Sequence, residues 1–469
     1  MLRRGRLRIM SHAFARFMCS PSPRPHPLTF LLITIILAPE VAKLNGRSGG
    51  GSEIATFLGS SQPDPAAEGR ALAGAFRLVY VTPEKLTGGD GTFLEGLANM
   101  HSRGGGGRIC LFAVDESHCV SEWGHDFRPA FLRIGPALRG HPALRSVPVL
   151  ALTATAVPRV RDDILSNLKM NRDETTIVKR SFDRSNLKIV VRGKPRGGIS
   201  GAFEGIASEL ARALIAKKGT TAGGGGGRST IIYCATKKEV DDVTAKIAQL
   251  LAHQLVLLMQ EEQQRQRQPT SVGSAFLDRA SALASAHVRA YHAGLSNTQR
   301  TESHTGFLVG RVSIVVATVA FGMGIDKPDI RRVVHWGAPK TVEEYYQQAG
   351  RAGRDGLPAE CTMFAESGDF AKYKDEFYLG GLSGKARAAT VRSMDALRDF
   401  AMSTSGCRRA ALLDFFEEKP SFGRYCGTCD LCLGRKDHGD DYERDFQWEG
   451  ARVILAAVFA CPNQVSDYC

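Results

Sequence analysis

The stretch that decides the fold is Ile109–Val114, with the sequence ICLFAV, which ends abruptly in Asp115, Glu116, Ser117 and His118. Continuous apolar runs of this length are typical of strands that are buried on both faces of a parallel sheet. Ligands of open α/β sheets bind at the carboxyl ends of such strands. The pattern therefore predicts a buried strand that presents two adjacent carboxylates at the reactive edge of an α/β sheet.

Two neighbouring carboxylates on an extended chain point to opposite sides, so they can do different work. In nucleotide hydrolases one such group holds magnesium, and the other orients or deprotonates the attacking water. We assign Asp115 to Mg²⁺ and Glu116 to the water. A solvated strand end is the alternative for an acidic pair taken alone.

A loop rich in aromatic and charged side chains follows, Ser121–Arg128, with the sequence SEWGHDFR. Together with the acidic box, Asp115–His118, it resembles the corresponding stretch of the RecQ family of DNA helicases. The resemblance implies that His118 joins the two carboxylates in catalysis. It also implies that the loop binds DNA through Trp123, His125, Phe127 and Arg128. Rings of this kind stack on bases, and a tryptophan packed in the core is the alternative for Trp123.

The composition favours a polyanionic partner. The 469 residues carry a formal net charge of +13, and the sequence pI is near 9.3. Lysine and arginine bind phosphates largely regardless of nucleotide sequence, although many soluble proteins are basic. A chain with 11 cysteines at this length is not a disulfide scaffold, so we expect a reducing compartment.

The N-terminal segment is atypical. Residues 1–39 contain six arginines and no acidic residue, which is typical of an organellar transit peptide. The apolar run Leu28–Ala38 is too short to span a bilayer. A transit peptide, a buried strand and a wrongly joined piece of gene are the three interpretations, and the missing phosphate loop described below favours the third.

Alternating strand and helix patterns predict two parallel α/β lobes. The second lobe opens with a strand at Ser229–Cys234 and a helix at Lys237–Leu251. The run Gln260–Gln268 is either a solvated extension of that helix or a disordered insert. In the first lobe Thr153–Ala156 (TATA) follows an apolar run, and it matches the motif that couples the hydrolysis site to its neighbour in RecQ helicases.

Two further motifs of the second lobe resemble nucleotide-binding segments of the family. A glycine pair at Gly322 and Gly324 lets the backbone approach a ligand closely, and Asp326 is suited to a ribose hydroxyl; a plain glycine turn is the alternative. The segment QQAGRAGR then places Gln347, Arg351 and Arg354 in the last helicase motif. Paired arginines present planar forks to a triphosphate and stabilise the charge on the transferred phosphoryl group.

A cysteine cluster predicts a metal site. Cys426, Cys429 and Cys432 have the spacing Cys-x2-Cys-x2-Cys, and Cys407 opens a helical stretch upstream. Four thiolates form a closed tetrahedral zinc site, while iron–sulfur ligation is the chemical alternative and His438 is a spare ligand. The cysteines match the zinc domain of RecQ helicases, and a helix at Ala388–Phe400 is predicted beside them.

One expected part is missing. The only Gly-Lys pairs are Gly193-Lys194 and Gly384-Lys385, and neither is followed by serine or threonine. ATP-driven helicases hold the phosphates on a Gly-Lys-Ser/Thr loop that precedes the acidic box. We therefore expect either a truncated or misjoined version of an active helicase, or a degenerate protein that binds DNA without unwinding it.

The sequence predicts an α/β protein with two RecA-like parallel-sheet lobes followed by a small helical zinc-binding domain. Its divisions are 1–52 (atypical segment), 53–182 (first lobe), 183–375 (second lobe), 376–436 (zinc domain) and 437–469 (start of a winged helix). The resemblance implies ATP-dependent 3′-to-5′ unwinding of DNA in repair, recombination or replication, with ATP, Mg²⁺ and Zn²⁺ as cofactors. Expected partners are single-stranded and duplex or junction DNA and no membrane. We expect the nucleus, with a mitochondrion or plastid as the alternative. The rivals are a non-catalytic scaffold and an RNA helicase.

Overall fold

The computed structural model describes most of the chain between residues 28 and 438. The described ranges are 28–33, 41, 44–46, 53–60, 62–103, 108–121, 128–154, 157–216, 229–265, 274–322, 325–382 and 384–438. They form two compact units, the first built mainly from residues up to Ser181 and the second mainly from residues beginning at Phe182. Each contains one parallel sheet flanked by helices.

The first sheet has five parallel strands in the order β2-β3-β1-β4-β5. Its strands are β1 Leu28–Ile33, β2 Ala55–Leu58, β3 Leu78–Val81, β4 Arg108–Val114 and β5 Val149–Ala151. The surrounding helices are α1 Ala67–Leu72, α2 Pro83–Thr87, α3 Thr92–Ser102, α4 Pro129–Leu132, α5 Ile134–Gly140 and α6 Pro158–Asn167. The predicted strand ICLFAV is β4, and its residues Phe112 and Val114 are fully buried in the core of this unit.

The first sheet begins earlier than the predicted lobe. Strand β1 lies within the segment set apart as residues 1–52, and it pairs in parallel with both β3 and β4. Nearby, Asn45 binds the start of β2: its Oδ1 accepts from the backbone N–H groups of Ile54 (3.1 Å) and Ala55 (3.0 Å), and its Nδ2 donates to the carbonyl of Ala55 (3.0 Å). Residues 28–33 therefore form a strand of the sheet, as one of the three interpretations of the N-terminal segment predicts.

The second sheet has six parallel strands in the order β6-β11-β10-β7-β9-β8. Its strands are β6 Leu187–Arg192, β7 Ser229–Cys234, β8 Val288–Tyr291, β9 Ile314–Ala317, β10 Ile330–Trp336 and β11 Ala359–Phe364. Its helices are α7 Gly198–Ala216, α8 Lys237–Arg265, α9 Ser274–His287, α10 Asn297–Leu308, α11 Val342–Ala349 and α12 Ser367–Ala371. Strand β7 has the predicted bounds. The predicted α/β class with parallel sheets is confirmed.

Helix α8 is longer than the predicted Lys237–Leu251. Apolar residues recur every fourth position beyond the predicted end, so the buried stripe continues through Leu255 and Met259. The glutamine-rich run is helical as far as Arg265, which agrees with a solvated extension up to that point, and residues 266–273 lie outside the described ranges.

A small helical module follows the second sheet. Its helices are α13 Glu376–Leu379, α14 Gly384–Met402, α15 Arg408–Phe415 and α16 Asp430–His438. Helix α14 contains the predicted Ala388–Phe400, and Cys407 is the N-cap of α15. No helix within the described ranges combines the length and the apolar character that crossing a bilayer requires. The predicted winged-helix segment from residue 439 onward lies outside those ranges.

Candidate functional site

The acidic box begins where β4 ends, as the sequence predicts. Glu116 has φ 50° and ψ 40°, which is the left-handed region, and its backbone N–H donates to Oδ1 of Asp115 at 3.0 Å. A non-glycine residue in this region is uncommon, and such strain of about 1–3 kcal/mol is found preferentially at functional sites. The bend turns the chain sharply after Asp115, so the two carboxylates lie at the end of the strand rather than along it.

The box is tied to the end of β5 by backbone hydrogen bonds. The N–H of Leu152 donates to the carbonyl of Val114 (2.9 Å), and the N–H of Ser117 donates to the carbonyl of Leu152 (2.8 Å). The Ser117 hydroxyl donates to that same carbonyl at 3.0 Å. The segment after β5 therefore cannot move without moving the residues that flank Asp115 and Glu116.

His118 connects the box to the predicted coupling motif. The ring is only 2% exposed, and its Nδ1 lies 3.1 Å from Oγ1 of Thr153 and 3.4 Å from Oε2 of Glu116. A single ring nitrogen thus contacts both the residue assigned to the water and the first threonine of the TATA segment. This contact is a physical route by which a shift of Thr153 would reorient Glu116.

Two supports of this loop were missed from sequence. The hydroxyl of Ser121 donates to Oδ2 of Asp163 at 2.6 Å, and the side-chain amide of Asn167 donates to the carbonyl of Val120 at 2.9 Å. Both partners lie on α6, more than 40 positions away, so no local pattern pointed to them. The N–H of Arg128 donates to the carbonyl of Cys119 (3.1 Å), whereas Trp123, His125 and Phe127 lie outside the described residues.

The predicted glycine segment is only partly described. Gly322 is buried and Asp326 is half-buried, while Gly324 lies outside the described residues. The roles of these three residues in nucleotide binding stay predictions.

The paired-arginine motif follows α11. The helix begins at Val342, with the Thr341 hydroxyl as its N-cap accepting from the N–H of Glu344. Arg351 and Arg354 lie just beyond its C-terminal end, in a loop that we call the arginine loop (Gly350–Gly356). Burial raises the pKa of the Tyr233 hydroxyl, and the positive charges of Arg351 and Arg354 oppose that rise.

A buried polar chain supports α11 from the sheet side. Gln347, chosen from the motif, is half-buried, whereas its neighbour Gln348 is 5% exposed. Gln348 Oε1 lies 2.9 Å from Nε2 of His335 on β10, and its Nε2 donates to Glu344 at 3.0 Å. Burial lowers the pKa of His335 to about 4, so the ring is neutral and donates from Nε2. Sequence reasoning missed this pair because it joins a strand to a helix.

The four predicted cysteines come together. The thiol groups of Cys407, Cys426, Cys429 and Cys432 all lie within 4.8 Å of one another, and Cys426 and Cys432 have their sulfurs 3.9 Å apart. Tetrahedral zinc with Zn–S bonds of about 2.3 Å separates its sulfurs by about 3.8 Å. The donor set and spacing therefore fit a structural zinc ion with four thiolate ligands and no open position.

The thiols perturb one another strongly. Hydrogen bonds from Cys407 and Cys429 hold the pKa of Cys426 far below its usual range, whereas hydrogen bonding raises the pKa of Cys407 to about 11 and that of Cys429 still further. Without a cation the cluster thus stabilises one thiolate at the expense of the others. A divalent metal removes this conflict because it binds all four in the deprotonated form.

Comparison with known families defines the class and then the family. A model described as the helicase conserved C-terminal domain matches residues 264–356, which include the paired arginines. This makes the second unit a helicase lobe. A model described as RecQ zinc-binding matches residues 368–433, which include all four cysteines, and confirms a zinc-binding module. Together with the relatives described next, these two matches support a helicase of the RecQ family.

The relatives are similar over most of this chain. The ATP-dependent DNA helicase RecQ of Pasteurella multocida is 31% identical over 434 residues, covering 91% of this chain and 57% of that protein. The mouse bifunctional 3′-5′ exonuclease/ATP-dependent helicase WRN is 32% identical over 469 residues, covering 97% of this chain and 29% of its own length. This chain therefore spans only part of either relative.

Among solved structures, the DUF1998 helicase MrfA bound to DNA has a TM-score of 0.50 at 16% identity. The match covers 76% of this chain and 45% of that one. At this identity the likeness concerns the fold alone, and it agrees with the predicted RecA-like lobes.

Proposed function

We propose that the protein is an ATP-dependent DNA helicase of the RecQ type that unwinds DNA in the 3′-to-5′ direction. The observation that carries the proposal is the acidic box, where a strained bend at the end of β4 presents Asp115 and Glu116 and a buried His118 links Glu116 to Thr153. This arrangement supports hydrolysis that responds to a neighbouring segment. A plain solvated strand end would need neither the bend nor the buried histidine.

Within this function the first unit would bind the cation and position the attacking water. Asp115 would hold Mg²⁺, which supplies charge neutralisation for the phosphates when it is bound. Glu116 would orient and deprotonate the attacking water, and His118 would keep the Glu116 carboxylate in place through Nδ1. The contact of His118 with Thr153 would make that orientation depend on the segment after β5.

Residues between 322 and 354 contribute cationic and ribose-binding groups. Arg351 and Arg354 would stabilise the charge that develops on the transferred phosphoryl group, with Gln347 beside them. Gly322, Gly324 and Asp326 would bind the nucleotide. The buried Nε of Arg351 has no hydrogen-bond partner among the described residues, which suits a guanidinium held ready for an anionic ligand.

DNA is the proposed partner. The net charge of +13 supports binding of a polyanion, and both relatives described above are named as helicases. Trp123, His125, Phe127 and Arg128 would bind single-stranded DNA by stacking and phosphate contact. Duplex or junction substrates, a role in repair, recombination or replication, and residence in the nucleus belong to the same proposal.

The zinc module has a structural part in this function. Cys407, Cys426, Cys429 and Cys432 would hold Zn²⁺ with no open coordination position, so the ion contributes folding energy rather than chemistry.

The second candidate is a DNA-binding protein without ATP turnover. It is favoured by one observation, namely that the 469 residues contain no Gly-Lys-Ser/Thr loop. The lysine of that loop contacts the β- and γ-phosphates in ATP-driven enzymes.

ATP hydrolysis with and without single-stranded DNA separates the two candidates. The chain would be measured as it stands and extended by the upstream genomic sequence, each with Glu116→Gln and with Glu174→Gln, an exposed acidic residue after α6, as the matched control. We expect DNA-stimulated turnover in the extended chain, a fall of at least about 100-fold in Glu116→Gln and no change in the control. Turnover that is absent from both chains while DNA still binds would instead support the second candidate.

A further inference from the structure

Residues 182–186, which directly precede β6 in the chain and which we call the connector, hold the backbone of the arginine loop. Arg184 donates through Nη1 to the carbonyl of Gly350 (3.1 Å) and through Nη2 to those of Ala352 (2.9 Å) and Gly353 (3.1 Å). One guanidinium therefore binds three carbonyls on either side of Arg351. Such a planar, permanently charged fork fixes a loop more firmly than separate neutral donors do.

A neighbouring side chain completes this hold. Asn186 donates through Nδ2 to the carbonyls of Gly353 and Leu357, both at 2.9 Å. Gly353 has φ +55°, and a Cβ atom there would lie 2.4 Å from that Nδ2. The loop thus adopts a conformation in which glycine is required, and Arg184 and Asn186 are the side chains that close over it.

The residues just before Arg184 bind the zinc module. Asp183 forms a two-point ion pair with Arg409 on α15, with distances of 2.6 Å and 2.9 Å, and the two side chains are 14% and 9% exposed. Phe182 stacks on Phe416 with centroids 4.5 Å apart, and its N–H donates to Glu418 at 2.9 Å. The connector is therefore bound on one side by the module and on the other by the arginine loop.

Arg409 also reaches the cysteine cluster itself. Its Nη1 lies 3.4 Å from the hydroxyl of Thr428, a residue between two of the cysteines, and its guanidinium lies over the ring of Phe422 at 4.1 Å. The Thr428 hydroxyl in turn lies 3.4 Å from the sulfur of Cys426. A continuous set of contacts joins the cluster to Asp183 through one arginine.

We propose that Arg184 is a positioning residue that fixes the arginine loop, and that the Asp183–Arg409 pair makes this fixing depend on the zinc-bound module. The functional meaning for Arg351 rests on the proposed helicase activity. The ordering of the loop does not rest on that activity, because it concerns the folded chain without nucleotide.

Amide hydrogen exchange of the zinc-loaded chain tests the ordering directly. The amides of residues 350–353 are the reporters, because all four donate to backbone carbonyls. Loss of three charge-assisted hydrogen bonds in Arg184→Met should raise their exchange rate at least about tenfold. Arg192→Met, an exposed arginine at the end of β6, is the matched control and should leave the rate unchanged. Equal rates in wild type and Arg184→Met would overturn the proposal.

The dependence on the module needs a second arm. Asp183→Asn should still bind one zinc ion per chain, yet should raise exchange of the same amides about threefold or more. Chelation of zinc should raise the exchange rate of these amides in wild type. In Arg184→Met it should raise that rate little further, because chelation and the substitution both act through the contact of Arg184 with the loop. The coupling would be contradicted if the effects of chelation and of Arg184→Met on the exchange rate were fully additive. It would also be contradicted if Asp183→Asn left the exchange rate of the loop amides unchanged. If Arg184→Met does not fold, Arg184→Lys takes its place, and a rise is again required.

Kinetics in the extended chain separate this proposal from the helicase proposal. Arg184→Met should lower kcat more than it raises KM for ATP, because the arginines act on charge that develops in the transition state. A chain without any ATP turnover would defeat the proposed function, while the exchange results would still decide whether Arg184 orders the loop.

Discussion

His335 should make the second unit sensitive to mild acid. The ring is 1% exposed, and burial lowers its pKa from 6.5 to about 4. Its Nε2 is 2.9 Å from the Gln348 amide oxygen, whereas its Nδ1 is buried and has no hydrogen-bond partner among the described residues. Protonation would therefore place a charge and an unpartnered N–H donor beside Tyr233 and Tyr345, which pack against the ring.

The direction and size of the change in stability follow from the linkage between protonation and folding. A histidine with a depressed pKa favours folding in its neutral form, so its contribution is complete above pH 6.5 and is lost as the pH falls from 6.5 towards 4. With these two pKa values, the free energy of unfolding should fall by about 2 kcal/mol between pH 7.5 and pH 5 from this residue alone.

Urea unfolding of the zinc-loaded protein at pH 7.5 and pH 5 measures the effect. His335→Gln keeps an amide donor for Gln348 and does not titrate, so its loss of stability on acidification should be about 2 kcal/mol smaller than that of wild type. His253→Gln, an exposed histidine on α8, is the matched control and should behave as wild type. Any effect of acid on zinc binding is common to all three proteins. An identical pH dependence in wild type and His335→Gln would mean that protonation of His335 does not destabilise the fold.

Three other substitutions test separate parts of the fold. Asn45→Ala removes three hydrogen bonds to the start of β2 and should cost about 1–3 kcal/mol in urea unfolding; no change would mean that the N-terminal segment does not support the sheet. Gly353→Ala should lower stability more than Gly356→Ala: both glycines have positive φ, but only at Gly353 would the new Cβ meet other atoms. Equal losses would exclude the close contact as a cause. Cys429→Ser should abolish zinc binding and speed amide exchange across α15 and α16, whereas Cys110→Ser in β4 should keep one zinc ion per chain; a zinc-bound Cys429→Ser protein would contradict the four-thiolate site.

Local sequence patterns predicted the parts of this protein whose chemistry lies in neighbouring residues. An apolar run that ends in two acids identified β4 and the acidic box, because the apolar residues favour a buried strand and the acidic residues mark its end. The cysteine trio was equally informative, since metal geometry restricts ligand spacing. The parallel α/β class followed from strands that alternate with helices.

Other features depend on contacts that no local pattern records. The left-handed conformation of Glu116 is accompanied by hydrogen bonds between Ser117, which follows β4, and Leu152, which follows β5. The hold of Arg184 on the arginine loop joins residues more than 160 positions apart, and nothing in the connector itself indicates it. Strand β1 was left among three interpretations because its arginine-rich flank is typical of a targeting segment, while its pairing with β3 and β4 is a property of the folded sheet.

Unwinding of a DNA duplex with a single-stranded tail, by the chain extended through its upstream genomic sequence, tests the proposed helicase activity itself. We expect ATP-dependent strand separation when the tail is 3′, little or none when it is 5′, and loss of separation in Glu116→Gln with DNA binding retained. Separation that proceeds without ATP, that requires a 5′ tail, or that survives Glu116→Gln would contradict it.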